Sequence, residues 1–137
     1  MNVLFSVVYP KSKIFFKDFI ESVNSQSSKD FLLVLCLNGT KLNKGEKELI
    51  NVNHVLFKTN MKWQKARIFV LKKIFKLKPK FIIFADSDDI MTKDRVKISL
   101  KKIKLYKSDF LTNNILLFGK NYKNKKKFFS FKNDFKI

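Results

Sequence analysis

The sequence of 137 residues carries 30 Lys and Arg against 11 Asp and Glu, a net charge of +19, with 45% hydrophobic residues, 16 Phe, three Gly and two Pro. A chain of this size suits one domain that buries roughly 70% of its unfolded surface, and this apolar content excludes wholesale disorder. So little Gly and Pro argues against loop-rich and repetitive all-β architectures.

Val3–Tyr9 is a short apolar run closed by Tyr9-Pro10, which predicts a buried strand and a turn. Ser12 is the expected cap of a helix over 12–25, with Phe15, Phe19 and Val23 in one row and Phe16 and Ile20 beside it. Phe31–Leu37 predicts a second buried strand, ended by the Asn38-Gly39 turn. A short helix is expected over Gly45–Asn51 and a third strand over 54–58. From Met61 to Leu77 the stripe Trp63, Ala66, Val70, Ile74, Leu77 predicts a helix stopped by Pro79. Phe81–Ala85 is a fourth strand. Thr92 is the expected cap of a helix to about Lys107, although VKISL also alternates like a strand. Phe110–Phe118 predicts one more strand. Residues 1–118 thus read as the main domain. Residues 119–137 form a Lys-rich segment, either an edge strand or the start of a missing acceptor half.

Alternating apolar strands and helices imply an α/β fold, a Rossmann-like, mostly parallel sheet flanked by helices. In such sheets ligands bind at the carboxyl ends of the strands. That places Tyr9-Pro10-Lys11, Asn38-Gly39-Thr40 and Asp86–Asp89 on one edge.

The positive charge invites a nucleic-acid reading. Yet Arg occurs only at 67 and 95, and the Lys, Asn, Ile and Phe excess is what an AT-rich coding sequence produces. The guanidinium fork that reads bases and phosphates is nearly absent, which argues against specific nucleic-acid binding. Lys-rich surfaces still suit peripheral contact with an anionic membrane. Cys36 is alone in an apolar run and reads as a small core residue of a cytoplasmic chain. The opening apolar run lacks a secretory signal's basic flank, and no stretch approaches the roughly 20 apolar residues of a membrane span. His54, with no second His or Cys near it in the sequence, reads as structural or solvated. Trp63 and the helically spaced Phe residues read as core.

Three of the eleven acidic residues fall in FIIFADSDDIM, at Asp86, Asp88 and Asp89. Residues i and i+2 of an extended segment point the same way, so Asp86 and Asp88 are expected to project together beyond the strand end. Paired carboxylates repel unless a cation lies between them. An all-oxygen donor set suits Mg²⁺ or Mn²⁺, which leave positions open for substrate phosphates.

These segments, in this order, resemble glycosyltransferase family 2 and its GT-A fold. Ser6–Pro10 stands where that family has its first strand and Pro-containing turn. Glu21-Ser22-Val23-Asn24-Ser25-Gln26 stands at its SI-x-x-Q helix signature. KWQKARIFVLKKIFKLKPKFIIFADSDDIM stands at its helix, strand and acidic motif, with Ala66-Arg67 at a common Ala-Arg pair. The resemblance covers about the first 110 residues. It implies sugar transfer from a nucleotide-activated donor to a cell-surface glycan or lipid-linked acceptor at the inner membrane face. It also implies that Asp86 and Asp88 hold the metal and donor diphosphate, that Tyr9 and Pro10 border the nucleoside, and that Arg67 faces the diphosphate. Asn38 stands where the family usually has an Asp that holds the nucleoside, and it brings no charge. The family also continues for a further acceptor-binding part that supplies a carboxylate base. Only Asp109 and Asp134 follow the predicted helix here, neither in a matching context, so the resemblance implies a short or truncated member and no catalytic base is assigned. The alternatives are a non-catalytic basic binding domain, either a degenerate donor-binding fragment or a nucleic-acid binder, and a metal-dependent phosphoryl-transfer domain using the same acidic cluster.

Overall fold

The computed structural model describes residues 1–113, 115–118 and 125–129. It divides into two units, Met1–Leu100 and Lys101–Ile137. The first is built on four strands, β1 (Val3–Val8), β2 (Leu32–Asn38), β3 (His54–Thr59) and β4 (Ile82–Phe84), in the order β3-β2-β1-β4 with every pairing parallel. This is the α/β architecture expected from the alternating pattern.

The continuous apolar runs of β1 and β2 follow from burial on both faces. Successive side chains alternate across a strand. Leu4 and Val8 with Leu33, Leu35 and Leu37 face one layer, where Phe16, Phe19, Ile20 and Val23 of α1 (Phe16–Asn24) and Val96 and Leu100 of α4 (Arg95–Leu105) cover them. Val3, Phe5 and Val7 with Val34 and Cys36 face the other, covered by Ala66, Val70 and Ile74 of α3 (Trp63–Lys76). A short helix α2 (Lys44–Glu48) starts at a capping box, where Asn43 Oδ1 accepts from the Glu46 amide and Glu46 accepts from the Asn43 amide.

Three local expectations change. Ser12 makes no side-chain cap. The chain enters α1 through a 3₁₀ turn at Lys13–Phe15, which leaves Phe15 44% exposed, and the Ser12 hydroxyl is engaged elsewhere. Thr92 does not cap the α4 amides. The Val96 amide is instead satisfied by Gln26 Oε1 from the end of α1. Trp63 and Leu77, expected in the core, are 57% and 45% exposed, and only Ala66, Val70 and Ile74 in the middle turns of α3 are fully buried against the strands.

The second unit contains β5 (Ile115–Phe118) and β6 (Lys125–Phe129), paired antiparallel as a separate two-stranded sheet. The strand expected over Phe110–Phe118 therefore begins later than its apolar run. Of the segment 119–137, residues 119–124 and 130–137 lie outside the described residues.

Candidate functional site

The strand order places β4 beside β1, although β2 and β3 follow β1 in the chain on its other side. The turns leaving β1 and β4 therefore diverge around a topological switch point, where open parallel sheets form their binding crevice. Tyr9-Pro10 leaves β1 here, and Asp86–Asp89 leaves β4.

The acidic segment is a turn and not an extension of β4: the Asp89 amide donates to the Asp86 carbonyl at 3.1 Å. Asp86 and Asp88 are both exposed, and the residue between them points in. Ser87 is 2% exposed, and its hydroxyl donates to the Val7 carbonyl at 2.9 Å and shares a 2.7 Å hydrogen bond with Ser12 Oγ. Ser12 Oγ in turn accepts from the Tyr9 amide at 3.0 Å. The two serines tie the β1 turn to the acidic turn across 75 residues of sequence, a linkage that no local pattern signals.

A second clamp lies behind the acidic turn. Gln26, 3% exposed, donates from Nε2 to the Thr92 carbonyl at 2.9 Å and to the Ser22 carbonyl at 3.0 Å, while its Oε1 accepts from Val96. Ser22 Oγ accepts from the Met91 amide at 3.2 Å. The Ser22 and Gln26 of the helix signature thus hold residues 91–96, and through them the position of the acidic turn.

Around this platform the sequence-predicted residues fall into three groups. Tyr9, Pro10 and Asp88, with Lys11, Ser12 and Phe15, line an open depression of about 670 Å³. Arg67 reaches from α3 to Asp86, with Nη2 2.7 Å from Oδ1 and both side chains partly exposed. Burial acts to lower the Arg67 pKa, but the Tyr9 hydroxyl and the Asp86 carboxylate outweigh it and the net shift is upward. The buried Tyr9 hydroxyl faces this guanidinium without an aligned hydrogen bond, and Arg67 Nε has no partner either. Asn38, at the end of β2, lies on the same edge but is 6% exposed and occupied. Its Nδ2 donates to the Met61 carbonyl, and its Oδ1 accepts from the Met61 amide and the Thr59 hydroxyl. Gly39 follows with φ +66°, a conformation that suits glycine, and a side chain there would meet Asn60 and Pro10.

Asp89 is exposed as a residue, yet local desolvation, reinforced by Asp86 and Asp88, pushes its carboxyl above the ordinary value, with Arg95 pulling the other way. Burial lowers the Arg95 pKa against the pull of Asp89 and Asp86. Arg95 Nη2 donates to the Phe84 carbonyl at 3.0 Å.

Among the described residues no three His, Cys, Asp or Glu side chains assemble as a metal site. Asp86 and Asp88, the carboxylates expected to hold a cation, are both exposed, and Asp86 is engaged by Arg67. Two hard oxygen ligands with open positions match the way Mg²⁺ is held beside substrate phosphates. The Tyr9 hydroxyl and Arg67 Nε nearby are buried, and the interaction between these two side chains helps to hold Arg67 charged. By residue type, carboxylates without sulfur ligands suit a hard divalent cation.

No family model matches the chain, and no curated protein matches it. Solved structures do. S. aureus TarS 1–349 superposes with a TM-score of 0.65 at 23% identity over 79% of this chain. The same fragment in complex with UDP-GlcNAc gives 0.62 at 22% identity, and in complex with UDP 0.61 at 21%. The chain spans about a third of the length of these structures, 33%, 32% and 33% respectively. At this identity the likeness is one of fold: the parallel sheet and its helices are shared with part of TarS.

Proposed function

We propose that the chain is a nucleotide-sugar-binding domain of the glycosyltransferase family 2 kind, serving sugar transfer to a cell-surface glycan or lipid-linked acceptor. The observation that carries this reading is the Ser12–Ser87 linkage at the β1/β4 switch point, which ties the turn bearing Tyr9 and Pro10 to the turn bearing Asp86 and Asp88, with Tyr9, Pro10 and Asp88 lining one depression. The fold shared with TarS, whose structures include UDP and UDP-GlcNAc complexes, supports the choice of donor class.

The roles follow from the contacts. Pro10, Phe15 and the Tyr9 ring offer an apolar wall for the flat nucleoside. Arg67 exchanges its bond to Asp86 for one to the donor diphosphate, a charge-assisted contact of the kind Arg makes best. Asp86, so released, and Asp88 hold the divalent cation. A Mg²⁺ or Mn²⁺ held by Asp86 and Asp88 would supply charge neutralisation for a departing diphosphate. Asn38 contributes by fixing the backbone at Thr59–Met61 ahead of α3. No catalytic base is assigned; Asp109 is exposed in an irregular segment.

The test is a thermal-stability titration with UDP-GlcNAc and Mn²⁺. Ligand at a hundred times its Kd stabilises the native state by about 2.7 kcal/mol. Asp86→Asn with Asp88→Asn is expected to leave the unliganded melting temperature near that of the native protein, because both side chains are exposed, and to remove the ligand-induced rise. Equal rises in both proteins would reject the metal and donor assignment.

A further inference from the structure

The outer face of α3 combines dense positive charge with exposed apolar side chains, as that of α4 does at Ile98 and Leu105. Between residues 62 and 80 the chain carries eight basic residues and no acidic one. Ala66, Val70 and Ile74 fill the inward stripe. On the opposite side, at the same helical spacing, lie Lys65, Ile68, Lys72, Phe75 and Lys76. Ile68 is 54% and Phe75 63% exposed, and the three lysines beside them are exposed as well. A helix of a water-facing surface normally keeps its apolar residues on one side. This one has a second, smaller apolar ridge, two turns long, set among ammonium groups.

We infer that this face is a docking surface for an anionic phospholipid bilayer. The helix would lie in the interface with Ile68 and Phe75 below the headgroups and the lysines against lipid phosphates, the arrangement in which apolar burial and charge attraction add. Charge complementarity selects this occupant. A second copy presenting the same face brings only like charge. A nucleic acid satisfies the lysines but leaves Ile68 and Phe75 unburied, and Arg67, the one guanidinium of the helix, is turned to Asp86. The inference stands on α3 alone and does not depend on the donor reading.

The experiment is vesicle co-sedimentation of the full chain, with vesicles of phosphatidylcholine alone or mixed equally with phosphatidylglycerol, at about 0.15 M salt. Binding is expected to the mixed vesicles only. Lys65→Gln with Lys72→Gln and Lys76→Gln lowers the partition coefficient on the order of a hundredfold, about fivefold per lysine. Ile68→Ser with Phe75→Ser abolishes binding at this salt, although the charge is unchanged. Lys41→Gln with Lys44→Gln and Lys47→Gln, exposed positions in and just before α2 with no large exposed apolar side chain beside them, serves as the charge control and changes binding only a few-fold. Melting temperatures of all variants are compared first, and loss of binding counts only for variants that melt like the native protein. Ile68→Thr with Phe75→Leu, a milder pair, keeps the question open to test if the serine pair fails to fold. The inference is overturned if the α3 variants and the Lys41, Lys44 and Lys47 control lose binding equally, if the apolar variants bind as well as the native protein, if no vesicle binding occurs, or if duplex DNA binds more tightly than vesicles at the same salt.

Discussion

Asn38→Asp brings back the residue that the family resemblance expects at the end of β2, yet the structure predicts that it weakens the protein. Asn38 is almost fully buried, and its amide is read in both directions: Oδ1 accepts from Met61 N and Thr59 Oγ1 at 2.9 and 2.8 Å, while Nδ2 donates to Met61 O at 2.9 Å. A carboxylate keeps the two accepted bonds and strengthens them. It loses the donated bond, worth about 1 kcal/mol, and sets an anionic oxygen against the Met61 carbonyl, which costs a further 1–3 kcal/mol or so. The net expectation is a loss of about 2 kcal/mol at neutral pH. With an unfolding entropy of about 2.1 cal/mol/K per residue, that is a fall of about 7 °C in Tm. Below about pH 4 the acid is protonated and can donate to Met61 again, so the difference should shrink. Thermal melts followed by circular dichroism at neutral and acid pH measure both. A variant at least as stable as the native protein at neutral pH would refute the claim that Asn38 serves the Thr59–Met61 backbone.

Two further outcomes follow from the same region. Asp89→Asn should stabilise the protein at neutral pH. The native fold raises this carboxyl above its ordinary value of 3.8, so the charged form is disfavoured in the folded state, and the gain should vanish as pH falls below 3.8, where both folded and unfolded chains are protonated; a variant less stable at neutral pH would contradict the assignment. Gln26→Ala removes three buried hydrogen bonds and should cost about 3 kcal/mol in urea unfolding, a loss below about 1 kcal/mol being inconsistent with the clamp on residues 91–96.

The sheet was legible because its central strands are buried on both faces, which forces unbroken apolar runs such as Val3–Val8 and Leu32–Leu37. The middle of α3 was legible for the same reason, since Ala66, Val70 and Ile74 must meet β1 and β2. Its ends were not, because the period of a helix does not say how far along it the layer beneath makes contact: Trp63 and Leu77 keep the period but stay exposed. Ser12 and Thr92 looked like caps because capping is judged from neighbours. The bonds that displaced those readings join Ser12 to Ser87 and Gln26 to Val96, residues 75 and 70 apart. The location of the candidate site came from the strand-end rule, whereas the engagement of Asn38 and the Arg67–Asp86 contact needed coordinates.

Arg95 bears on a different property. In β4 the carbonyl of Phe81 and the amide of Ala85 bond to β1, so Phe84 between them turns its carbonyl away from the sheet, toward a side with no strand partner among the described residues. Bare strand edges invite pairing with another chain. The Arg95 guanidinium occupies the position that an incoming strand's amide would take on Phe84. Among the described residues this hydrogen bond, 3.0 Å long, covers one outward carbonyl of that margin, so its loss should raise the tendency of copies to pair edge to edge at high concentration.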